Sequence, residues 1–109
     1  MKLPKKVVIA GRDFDIIQTN DNNILGHFNC NTQEIKIRTK GLKRDLVYQA
    51  LLHEIIEAIL TERSCRFTPS FNIGTEGCNF LFSFDHNKFE ELISEICYAL
   101  KNSGLLNIK

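Results

Sequence analysis

Residues 46–60 read Leu-Val-Tyr-Gln-Ala-Leu-Leu-His-Glu-Ile-Ile-Glu-Ala-Ile-Leu, a run that constrains the fold more than any other part of the chain. At about 100° per residue its apolar side chains cover nearly the whole circumference of a helix, which predicts a buried helix rather than one lying on a surface. Its only groups with acid–base chemistry near neutral pH are His53, Glu54 and Glu57. His53 and Glu57 lie four residues apart, one turn up the same face, on a stripe shared with Leu46, Ala50 and Leu60. A carboxylate buried there must meet a cation, a proton or a set of hydrogen-bond donors. A divalent metal held jointly by His53 and Glu57 supplies that cation. Glu54 lies about 100° round from His53. That places it beside such an ion and not on it, where a general base would stand. The structural alternative is a His–Glu hydrogen bond or ion pair tying the helix to its neighbours.

The segments before this helix follow strand rules. Residues 7–10 form a short β-branched run, Gly11-Arg12-Asp13 suggests a turn, and residues 14–19 continue as a partner strand. Asn20-Asp21-Asn22-Asn23 is a polar break. Residues 24–29 make a third extended segment. In residues 34–39 the pattern is clearest, with Ile35 and Ile37 on one face and Glu34, Lys36 and Arg38 on the other. The helix is expected to begin between Leu42 and Leu46, with Asp45 in its first turn, and to run to Glu62 or Arg63. About twenty residues from Ser64 to His86 are too many for an ordinary connection. Alternation around Phe80, Phe82 and Phe84 suggests a short extra strand there. A second helix is expected over residues 87–102, capped by Asn87 with Glu90 three residues on, and closed by Gly104. The expected fold is therefore α+β: one domain over residues 1–109, with a small antiparallel-rich sheet of three or four strands and two main helices.

With 109 residues the chain supports one hydrophobic core, and a net charge of +1 gives no bulk attraction to nucleic acid or an anionic membrane. Lys36, Arg38, Lys40, Lys43 and Arg44 crowd together, but they fit the solvated face of a strand and the start of a helix. No apolar run approaches the roughly 20 residues of a membrane span. The N-terminal lysines precede no signal-peptide pattern. A cytoplasmic location with reduced thiols is the expectation. Cys30, Cys65, Cys78 and Cys97 contain no CxxC pair, which argues against a zinc ribbon or a thioredoxin-like motif. Cys97 falls on the apolar stripe of the second helix and is expected in the core; Cys65 and Cys78 share one loop, where a metal or redox role is open.

Catalytic zinc uses three protein ligands and keeps one position open. Near the second helix the candidates for the third are Asp85, His86, Glu90 and Glu91. The apolar stripe there runs Phe89, Leu92, Ile93, Ile96, Cys97 and Leu100. Glu91 points away from it, Glu90 lies at its edge, and His86 faces the core if the helix extends back that far. His27, on a strand, is expected to be a surface or half-buried residue.

The stretch Leu-Leu-His-Glu-Ile-Ile-Glu-Ala-Ile-Leu over residues 51–60 resembles small phage and prophage proteins of the zincin type, which look related to the ImmA/IrrE-like metallopeptidases and to minimal gluzincins. The order of strands, His-Glu helix, long loop and terminal helix extends the resemblance over nearly the whole chain. Only the ten-residue core is specific. Glu57 stands where the zinc-peptidase pattern His-Glu-x-x-His has its second histidine, a replacement that zinc tolerates because carboxylate oxygen also ligates it. The resemblance implies a zinc peptidase with His53, Glu57 and His86 as metal ligands and Glu54 as catalytic base. It also implies that the strand before the helix, residues 34–39, is the sheet edge along which a peptide or protein substrate lies extended. The rival expectation is a non-catalytic phage or host-interaction module that keeps the fold.

Overall fold

The computed structural model describes residues 2–67 and 81–105. It is an α+β arrangement of a four-stranded mixed sheet and two helices. Strands β1 (Lys6–Ile9) and β2 (Arg12–Thr19) form an antiparallel hairpin. Its two-residue turn is Ala10-Gly11, one position earlier than the sequence suggests. Both residues have positive φ, 52° and 76°, the twist that a tight hairpin needs.

Strands β3 (Gly26–Asn29) and β4 (Glu34–Arg38) form a second antiparallel pair, and β4 then lies parallel to β2, giving the order β1-β2-β4-β3. This corrects one expectation: residues 34–39 do not form a sheet edge, because β4 is paired on both sides. The physical reason lies in the two strands. β4 carries a clean alternation that buries Ile35 and Ile37 completely, and a central position rewards that. β3 reads Gly-His-Phe-Asn, short and poorly apolar, as suits an edge. Lys36 faces outward opposite His27, which is exposed.

Helix α1 (Arg44–Glu62) covers the inner sheet face. Its Val47, Leu51, Ile55, Ala58 and Ile59 join Val7, Ile9, Phe14, Ile35 and Ile37 in the core. Helix α2 (His86–Ser103) packs against β1 and α1. A small hairpin of β5 (Arg66–Phe67) and β6 (Leu81–Phe82) links the helices, in agreement with the extra strand suggested near Phe82. Cys65 is buried in the core, while Cys78 lies outside the described residues.

Two expectations about the helices are corrected. α1 is not buried all round: Leu46, Leu52 and His53 are exposed. A two-layer domain of this size has one sheet below α1 and one helix beside it, so the helix keeps an open back. In α2 the buried face is rotated from the apolar stripe. Leu92 and Ala99 are buried, whereas Phe89, Ile93 and Cys97 are exposed, so Cys97 is not core filler. Glu95 accounts for the rotation. Arg63, at the end of α1, grips it with two nitrogens, one bond being 2.6 Å, and also approaches Glu91 at 3.7 Å. Such a forked, charge-assisted pair draws the polar side of α2 inward. The bond from Glu95, the larger effect against partial desolvation, raises the Arg63 pKa above its ordinary value.

The cap of α2 also differs. Asp85, not Asn87, is the N-cap, its carboxylate accepting from the Lys88 N–H at 2.9 Å. His86 is therefore the first helical residue. Gly104 closes the helix with φ 85°, as expected of a C′ glycine.

Candidate metal centre

Two adjacent turns of α1 set the candidate site. The His53 Nε2 lies 2.8 Å from a Glu57 carboxylate oxygen, one turn up the same face. The His53 side chain is 70% exposed and that of Glu57 17%. Glu54 turns the other way, under β3, and is only 6% exposed. Each of the three offers one ligand atom, and these atoms lie within 4.8 Å of one another. His53 stands on a ridge: Glu54 borders the cavity on its β3 side, and Glu57 borders a smaller one shared with Ile56, Leu60 and Phe82.

One imidazole and two carboxylates are a donor set that a divalent cation accepts. Two ligand atoms each about 2.1 Å from a tetrahedral ion stand about 3.4 Å apart. The 2.8 Å pair must therefore open by about 0.6 Å to admit one, a small rotamer adjustment for an exposed imidazole. The chemistry of the group fits a metal. Without one, an i,i+4 pair whose imidazole is mostly exposed contributes only a few tenths of a kcal/mol.

Gly26 explains how Glu54 is accommodated. A Cβ at this position would lie 2.9 Å from the Glu54 Cγ and 3.1 Å from the Ile37 Cδ1. Only a residue without a side chain lets the β3 backbone approach α1 this closely while Glu54 lies between them. A Gly26→Val substitution is expected to destabilise the fold by about 1–3 kcal/mol through overpacking, measured as a lower urea midpoint at unchanged slope. A midpoint equal to that of the wild type would mean that Glu54 has room elsewhere. A glycine inside an extended segment is itself a signal of close approach, so sequence reasoning that passed over Gly26 had a cue to use.

No match to this chain is found among protein-family models, curated proteins or solved structures. The chemistry has to be read from its own atoms.

The structure brings His53, Glu54 and Glu57 together and leaves His86 outside the group. At the first position of α2, the His86 side chain is 80% exposed, its Nδ1 3.7 Å from Glu90. Glu91 approaches Lys88 and Arg63, and Asp85 is engaged as the helix cap. Lys36, Lys40, Lys43 and Arg44 are exposed. Arg38 donates to the Asn22 carbonyl and Arg44 lies over the Tyr48 ring. Among the described residues, no helix is long and apolar enough to cross a membrane.

Proposed function

We propose that this chain is a metal-dependent peptide hydrolase of zincin type. One divalent ion, zinc by the resemblance of residues 51–60 and by the nitrogen–oxygen donor set, is held by His53 and Glu57, with Glu54 as the general base. The observation that carries the reading is the convergence of one imidazole and two carboxylates from a single helix, with a cavity on either side of His53. His86 is the third ligand that the resemblance implies, and it would have to leave Glu90 to serve.

The ion supplies positive charge that polarises a carbonyl and eases ionisation of water. The chain's own residues do the rest. A Glu54 oxygen takes the proton of the attacking water as its oxygen bonds to the scissile carbonyl carbon. The carbon–nitrogen bond breaks, and the same carboxyl returns the proton to the leaving amine.

Zinc-loaded protein should cleave members of a diverse peptide library, read by mass spectrometry. Glu54→Gln should cut the rate by about 10²–10⁴-fold while retaining fold and metal. A Glu54→Gln protein as fast as an active wild type would end the assignment. The second reading, a non-catalytic phage or host-interaction module with a structural metal or none, is favoured by the exposed placement of His86. Wild type that holds zinc but cleaves nothing in the library would make it the better one.

A further inference from the structure

The cavity on the β3 side of His53 has a composition that selects what enters it. It is about 490 Å³ in volume, within the about 300–1,000 Å³ range of small-ligand sites. Ile24 and Leu25 before β3 form one wall, and Leu46 and Ala50 of α1 form the facing one. Asn23 and Gln49 add two neutral amides. The charge-bearing side chains of the lining are His53 and Glu54, the pair already assigned to the chemistry. Leu25 and Leu46 are both exposed although both are large and apolar.

We infer that this cavity is the specificity pocket of the site and receives an uncharged apolar side chain of a peptide next to the scissile bond. The inference rests on the hydrolase reading above. The walls offer a charged side chain no counter-ion beyond His53 and Glu54, which the chemistry engages, so a lysine or glutamate entering would exchange water for apolar walls and neutral amides. An aliphatic side chain is covered on two sides by Leu25 and Leu46, and removing those faces from water favours binding. The amides of Asn23 and Gln49 suit hydrogen bonds to peptide backbone, which carries one donor and one acceptor per residue. Leu46 is the selecting residue on the helix side.

The test is binding, not turnover. Acetyl-Ala-Leu-Ala-amide is titrated into the purified protein at millimolar concentration and followed by amide chemical shifts. Acetyl-Ala-Lys-Ala-amide and acetyl-Ala-Glu-Ala-amide are titrated in parallel. The leucine peptide should give saturable shifts at residues 23–26 and 46–50, and the charged peptides should bind at least about tenfold more weakly. Leu46→Gln should weaken the leucine peptide several-fold. Leu52→Gln should not, because Leu52 is similarly exposed but lines a separate groove with Tyr48 and Leu100. Absence of saturable shifts, equal binding of all three peptides, or equal loss in both variants would overturn the pocket. Selective binding without cleavage would refute the hydrolase reading alone, and cleavage indifferent to Leu46→Gln would refute the pocket alone.

Discussion

Phe14→Ala is expected to cost about 3–5 kcal/mol and to unfold a large share of the protein near physiological temperature. Phe14 is among the largest fully buried side chains, with no exposed surface. It sits in β2 opposite Val7 of β1, and β2 also carries the parallel pairing to β4. Truncation leaves a cavity in the core that Phe14 shares with residues such as Ile55 and Ile35, which are themselves fully enclosed and cannot collapse freely into it. Urea denaturation followed by circular dichroism measures the effect. A loss under about 1 kcal/mol would mean that the hairpin is not part of the same core as the helix.

The second large effect concerns the ion. Glu57→Gln keeps shape but removes a negative charge, and His53→Ala removes the imidazole. Either should lower zinc affinity by more than the about 10–100-fold that changes around the ligands cost. Stability should move little with His53→Ala in metal-free protein, because the imidazole is mostly exposed and an i,i+4 His–Glu pair contributes a few tenths of a kcal/mol. Glu54→Gln is the contrasting case: proton acceptance is lost while His53 and Glu57 remain to hold the ion.

Much of this was legible in residue order, for identifiable reasons. The alternation Glu34-Ile35-Lys36-Ile37-Arg38 is consistent, and there local pattern and burial agree; the run of residues 46–60 forms the expected helix but leaves Leu46, Leu52 and His53 exposed. The i,i+4 spacing of His53 and Glu57 is a covalent fact once the helix is granted, and their contact follows. What was not legible depends on partners distant in sequence. That β4 is central and β3 the edge is set by which strand β2 accepts as its parallel neighbour. The rotation of α2, and with it the exposure of Cys97, is set by Arg63 reaching Glu95 across 32 positions. The cap at Asp85 instead of Asn87 was a local choice between two good capping residues, and its consequence is to make His86 the first residue of α2. The pocket of Leu25, Leu46 and Gln49 joins a loop to a helix, a proximity that no periodicity announces.

The central claim is that His53 and Glu57 hold one divalent ion beside Glu54. The measurement that bears on it most directly is calorimetric titration of zinc into chelator-treated wild-type protein, with His53→Ala alongside. One ion per chain in the wild type, and at least a tenfold loss of affinity in the variant, is the predicted result. Absence of stoichiometric binding, or binding that His53→Ala leaves unchanged, would contradict the account.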